Sequence, residues 1–203
     1  MAFCSTAVAQ MSAQLLQQPD VSKTHITFSY GGDIWIADKD GGLATKLSSA
    51  KGVESFPRFS PDGSMIAFSG NYDGNTDIYA LPTMGGVPTR VTHHGMPDQL
   101  LDWYPDGKSL LYASKMESGK QRFSQFYKIS AEGGLPEKLP MAYGEFGSLS
   151  PDGSQIAFVD RSRVFRTWKR YRGGTAADVW LFDLNTYVSM KFWLKKEIRF
   201  KSK

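Results

Sequence analysis

The chain has 203 residues, enough for one all-β domain with a core of its own or at most two small ones, which excludes a peptide or a short disulfide-stapled module. Twenty Gly and ten Pro among 13% aromatic residues are the composition of many short strands punctuated by turns, and no stretch stays apolar long enough to span a bilayer. The net charge of +4 belongs to the end of the chain: Tyr187 to Lys203 holds five Lys and one Arg against one Glu, so the rest is slightly acidic and the basic total is no argument for a nucleic-acid partner.

Residues 1–23 read as a leader. Met1 to Gln10 is a stretch of apolar and small residues ending in Ala7-Val8-Ala9, the small-x-small pattern cut by signal peptidases. It lacks a positive start and most of an apolar centre, so it is read as a truncated signal peptide, with a frayed ordinary terminus as the alternative. An exported bacterial protein, periplasmic or extracellular, is therefore expected. Cys4 would leave with the leader, and the mature chain would have neither disulfides nor a reactive thiol.

From residue 24 onward three signals recur in fixed order. Pro-Asp-Gly occurs at Pro61-Asp62-Gly63, Pro105-Asp106-Gly107 and Pro151-Asp152-Gly153, 44 and 46 residues apart. A glycine pair occurs at Gly41-Gly42, Gly85-Gly86 and Gly133-Gly134. Between them a strand opens Asp-aliphatic-aromatic at Asp33-Ile34-Trp35, Asp77-Ile78-Tyr79 and Asp178-Val179-Trp180, with Gln125-Phe126-Tyr127 as a divergent copy. Pro presets φ for the turn, Asp binds the backbone ahead, and Gly takes the left-handed conformation, so each Pro-Asp-Gly predicts a tight hairpin between a first and a second strand. Met65 to Ser69, Leu110 to Ser114 and Gln155 to Val159 are the second strands, the Asp-led segments the third, and Thr89 to Thr92 after a glycine pair a fourth. A meander of this size cannot bury a face alone and must stack on its neighbours, which predicts propeller blades at 24–49, 50–93, 94–141 and 142–186.

The expected fold class is all-β, an incomplete β-propeller of about 3.5 four-stranded antiparallel blades. The first unit shows three strands without a preceding Pro-Asp-Gly, and the fourth lacks its last strand. Residues 187–203 read as an atypical basic tail, with a truncated or frameshifted end as the expected explanation and a membrane-surface helix as the sharper alternative. An open arc exposes strand edges, so the isolated chain is expected to self-associate.

The Ser-Pro-Asp-Gly-x-x-Ile-Ala-Phe spacing of Ser60 to Phe68 and Ser150 to Phe158 resembles the WD40-like repeats of the TolB and tricorn propellers. Trp168-Lys169-Arg170-Tyr171-Arg172-Gly173-Gly174, four residues ahead of Asp178-Val179-Trp180-Leu181, is similar to the fourth blade of the six-bladed N-terminal propeller of tricorn-type serine proteases. The resemblance covers about Thr24 to Asn185. It implies a multidomain oligopeptide-cleaving peptidase of the S41 class, in which this propeller filters or admits peptide and a C-terminal domain supplies the Ser nucleophile and its His. Those catalytic residues have no counterpart here, so the chain alone is expected to be non-catalytic, with peptide substrate or the parent's later protease domains as partners. The alternative is a non-enzymatic TolB-like periplasmic protein-binding propeller.

The candidate contact residues are basic. Arg163, Arg166, Lys169, Arg170 and Arg172 lie with Phe165, Trp168 and Tyr171 in a long insertion between the second and third strands of the fourth unit. Guanidinium groups bind carboxylates bidentately and stack on rings, so this segment is read as a peptide-binding or interdomain contact. The strained Gly-x-Ser-x-Gly elbow of triad hydrolases is absent, and His93-His94 reads as a solvated loop pair. Asp73-Gly74-Asn75-Thr76-Asp77 copies the start of a calcium loop but has Ile78 at position six and Met84 at position twelve, so it is read as a hairpin turn. Asp33, Asp77 and Asp178 are read as structural caps on nearby backbone N–H groups. No cofactor or metal is expected.

Overall fold

The computed structural model describes residues 15–48, 50–119, 123–161 and 177–192. It consists of four antiparallel sheets, each a meander in chain order. The first holds β1 (Gln17–Val21), β2 (His25–Tyr30), β3 (Asp33–Asp38) and β4 (Thr45–Lys46); the second, β5 (Val53–Phe59), β6 (Met65–Asn71), β7 (Thr76–Pro82) and β8 (Thr89–Arg90). The third holds β9 (Asp98–Trp103), β10 (Ser109–Ser114), β11 (Gln125–Ser130) and β12 (Glu137–Lys138); the fourth, β13 (Phe146–Leu149), β14 (Gln155–Val159), β15 (Val179–Asp183) and β16 (Ser189–Lys191). The leading strands β1, β5, β9 and β13 contact one another in succession and define the axial side, while the last strand of each sheet lies outermost. No helix among the described residues is long and apolar enough to cross a membrane.

Each Pro-Asp-Gly sits in the hairpin between the first and second strands, as the repeat predicts. Asp62 accepts the Ser64 N–H and the Ser60 and Ser64 hydroxyls, which hold its carboxyl down at about 2, and Asp152 is held at about 2 by Ser150 and Ser154 in the same way. Gly63 (φ 75°), Gly107 (φ 65°) and Gly153 (φ 71°) need the left-handed region. They also meet the preceding blade: a Cβ on Gly153 would come 3.1 Å from Pro105 Cδ, so the turns of neighbouring blades stack on one another.

Two strands fall outside the expected bounds. β1 occupies Gln17–Val21, inside the segment read as leader, and completes the first sheet. Its hairpin is Ser22-Lys23-Thr24, where Ser22 Oγ accepts the His25 N–H just as Ser60 Oγ accepts that of Met65; a serine turn without Pro-Asp-Gly carries no sequence flag. β16 takes Ser189–Lys191 from the segment read as tail and pairs with β15. There Tyr187 (φ 58°) stands where other units have a glycine pair, and Asp183 Oδ1 accepts the N–H groups of Asn185 and Thr186 to close the turn. The described arc is thus four four-stranded sheets, within the incomplete-propeller fold class expected.

Three apolar clusters fill the three seams. Ile34, Phe59, Ile66 and Phe68 meet between the first and second sheets, Ile78, Leu100, Leu110 and Tyr112 between the second and third, and Leu111, Phe126, Ile156 and Phe182 between the third and fourth. The inner sheets are covered on both faces, so β6 and β10 are buried almost throughout; β14 alternates because, among the described residues, the fourth sheet is covered on one face.

Candidate functional site

The leading strands begin around a cavity of about 490 Å³ on the axial side. Ser55 and Phe56 of β5, Asp98 and Gln99 of β9, and Glu145 just before β13 line it, joined by Ser69, Lys115 and Ser124 from neighbouring strand ends and loops. Hydroxyls, an amide, charges of both signs and one aromatic ring therefore share a concave site of ligand-binding size, in the range of about 300–1,000 Å³.

Phe56 is held there by an unusual backbone. Its φ is 53°, a region that a bulky residue enters at roughly 1–3 kcal/mol, and it lies in the bulge that breaks the β5–β6 register between Ser55 and Arg58. Gln18, itself at φ 51°, accepts the Phe56 N–H at 2.8 Å and the Ser29 hydroxyl at 3.0 Å through Oε1, so the first sheet fixes the bulge of the second. The Phe56 ring meets Phe146 of the fourth sheet at 5.9 Å between centroids, bridging two non-adjacent blades.

Below the cavity, polar groups tie the blades together. Glu54, 1% exposed, accepts the Ile34 N–H at 2.8 Å, the Tyr72 hydroxyl at 2.6 Å and the Ser48 hydroxyl, which joins the first and second sheets. Forty-four residues on, Asp98 occupies the matching place and is also 1% exposed. His94 Nε2 is 3.0 Å from its carboxylate. Burial pushes Asp98 up to about 6, with Thr92, Ser114 and the charge of His94 pulling down and Asp77 adding to the rise. Burial also raises Asp77, against the opposing pull of Arg90, Asn75 and His94. In the fourth unit this position is Gly144, and the Phe126 ring fills the space: a Cβ on Gly144 would lie 2.7 Å from Phe126 Cζ.

Raised carboxylates bind protons more tightly folded than unfolded. The stability they add is complete below the ordinary range near 4 and is lost as pH rises through about 6. Unfolding free energy should therefore fall between pH 4 and 6.5 in urea titrations, and Asp98→Asn should flatten that fall. An unchanged slope in the variant would remove Asp98 as its source.

The repeated aspartates are structural, as expected, though their partners are cations and not backbone N–H groups. Asp33 pairs with Lys46 at 2.7 Å, Asp77 with Arg90 at 2.7 Å and Asp178 with Lys191 at 2.6 Å, tying the third strand to the fourth in the first, second and fourth sheets. In the third unit Gln125 replaces the acid, and Lys138 pairs with Glu117. Of the two loop histidines, His93 is exposed, whereas His94 is partly exposed and engaged with Asp98. The segment at Asp73 is the turn between β6 and β7, with Gly74 donating to Asn71 Oδ1.

The predicted contact residues Arg163, Arg166, Lys169, Arg170 and Arg172 lie outside the described residues. The strand that leads to them ends beside the cavity, since Val159 O accepts the N–H of Glu145. Phe56, Gln99 and the Glu54 and Asp98 pair were not singled out by the sequence; an acid seven residues before Pro-Asp-Gly in two units is the signal that marks the latter.

The chain matches the family described as the tricorn protease N-terminal beta propeller domain over residues 13–198. It is 30% identical over 191 residues to tricorn protease homolog 1 of Streptomyces coelicolor, an alignment covering 87% of this chain and 18% of that protein. Among solved structures, that of the tricorn protease superposes with a TM-score of 0.70 at 24% identity, over 87% of this chain and 18% of that one. TolB from Acinetobacter baumannii superposes with a TM-score of 0.64 at 26% identity, over 83% of this chain and 40% of that one.

Proposed function

The chain belongs to the tricorn protease N-terminal β-propeller family, and on that premise we propose that it forms a propeller portion of an exported, tricorn-like serine protease of the S41 class. In this reading the propeller is a scaffold that admits oligopeptides along its axis, and the nucleophile and base are supplied by other domains. The family match across all four sheets carries the proposal, and the axial cavity supports it. Arg163, Arg166, Lys169, Arg170 and Arg172, between β14 and β15 in sequence, would hold peptide carboxylates or dock a further domain. Export fits the strand bounds, because cleavage after Ala9 would leave β1 whole. Self-association would follow from the apolar faces of the end sheets, where, among the described residues, Val21 on one and Met190 on the other are more than half exposed.

A fluorophosphonate that labels activated serines tests the division of labour. Catalysis needs an activated nucleophile, a base and an oxyanion site within hydrogen-bond reach. The purified chain is expected to stay unlabelled and to release no product from fluorogenic oligopeptides. Labelling of one serine, abolished by replacing His93 or His94, would move catalysis into the propeller. Coding sequence around this segment that specifies only about six blades and no Ser–His domain would favour a TolB-like binding propeller.

A further inference from the structure

The two outer faces of the arc carry the same repeat positions that mate inside it. One hydrogen bond marks the first set: the N–H groups of Leu47, Val91 and Leu139 donate to the carbonyls of Ile34, Ile78 and Phe126 in the first three sheets. Each of these six side chains is at most 7% exposed, because it packs into the seam with the following sheet. In the fourth sheet the same bond joins the Phe192 N–H to Val179 O, yet Phe192 is 49% exposed and Val179 45%. The hairpin serines mark the second set. Ser22, Ser60 and Ser150 Oγ accept the N–H of His25, Met65 and Gln155, which aligns the runs Ile26-Thr27-Phe28, Ile66-Ala67-Phe68 and Ile156-Ala157-Phe158 and sets Val21 level with Phe59. Ile66 and Phe68 face the first sheet across one seam, and Ile156 and Phe158 face the third across another. Their counterparts in the first sheet, Ile26 and Phe28, line an apolar groove of about 340 Å³ with Val21, which is 58% exposed. Neither this trio nor Val179 and Phe192 belongs to any of the three seams.

We propose that the outer face of the fourth sheet docks on the outer face of the first sheet of a second copy of this chain, in a head-to-tail contact that repeats the pairing of the three internal seams. The inference rests on the self-association read above from the incomplete arc and gives it a direction and a surface. The repeat fixes the occupant: what seats on the Val179 and Phe192 positions in every internal seam is a face bearing the aromatic and aliphatic residues of the first two strands. Val21, Ile26 and Phe28 present such a face. A contact between unlike faces can be broken from either side and restored by mixing, whereas a contact between like faces cannot.

Sedimentation velocity of the full chain at rising concentration is expected to show self-association. Val21→Asp and Val179→Asp each place an unpaired charge in the contact and should each weaken association about a hundredfold. Mixed in equal amounts, the two variants should form a 1:1 pair about as tightly as the unmodified chain pairs with itself, because one keeps the fourth-sheet face intact and the other the first-sheet face. Both positions are exposed, so both variants should keep the urea midpoint of the unmodified chain. Val21→Thr and Val179→Thr, which keep the side-chain shape, provide the same comparison if an aspartate variant loses that midpoint. An unmodified chain that stays monomeric overturns this docking and the self-association reading together. Association that survives either single substitution, or that mixing the folded variants does not restore, overturns head-to-tail docking and leaves self-association standing.

Discussion

Phe126→Ala is expected to lower the unfolding free energy by about 3–5 kcal/mol, the range for removing a buried phenylalanine side chain from a well-packed site. The ring is fully buried in the seam between the third and fourth sheets. It rests on two glycines of the fourth unit: a Cβ on Gly147 would stand 2.7 Å from Phe126 Cε2, and one on Gly144 equally close to Cζ. The backbone around those glycines is held by the β13–β14 ladder and by the Gly144 N–H bond to Ser124 O, so the site cannot easily collapse onto the cavity left by alanine. Gly147→Ala should destabilise the same seam from the other side by about 1–3 kcal/mol through overpacking. Urea unfolding followed by tryptophan fluorescence measures both. A loss below 1 kcal/mol for Phe126→Ala would mean that the third and fourth sheets do not pack as described.

Glu54→Ala is the second large effect, expected at about 2–4 kcal/mol. The buried carboxylate is the shared acceptor for the Ile34 N–H and the Ser48 and Tyr72 hydroxyls, and its loss leaves buried donors unsatisfied at about 1–3 kcal/mol each, with partial relief from water. Tyr72 reports on the same contact: burial, with Glu54 as acceptor and neighbouring charge, raises its hydroxyl far above the usual tyrosine range. Glu54→Gln retains an amide oxygen as acceptor and should lose less than half as much. Equal losses in the two variants would show that charge, and not the acceptor geometry, holds the first two sheets together.

The propeller repeat was legible because Pro-Asp-Gly encodes its turn by stereochemistry, and all three copies close the hairpins they predict. The ends of the arc were not, because the same hairpin can be made by other chemistry. Ser22 caps the β1–β2 turn with a hydroxyl, and Tyr187 takes a positive φ with Asp183 binding the backbone. A subtler periodicity did mark β16: a cation follows the opening residue of each third strand by thirteen positions, at Lys46, Arg90, Lys138 and Lys191. The ion pairs explain that spacing in three of the four sheets. The site was less legible than the fold, since Phe56 and Phe146 belong to different blades and meet only across the axis. No local pattern announces such a pair, whereas the basic run at Arg163 to Arg172 stands out in sequence regardless of what it touches.

Photo-crosslinking locates peptide on this chain most directly. A blocked heptapeptide carrying one benzoylphenylalanine, irradiated with the full chain and mapped by mass spectrometry after proteolysis, should attach within the segments that line the axial cavity, around Ser55 to Phe56, Pro97 to Gln99 and Ser124. Excess of the same heptapeptide carrying phenylalanine in place of the crosslinker should compete the adducts away. Adducts confined to the outermost strands β4, β8, β12 and β16, or adducts that excess peptide does not reduce, would contradict admission of peptide along the propeller axis.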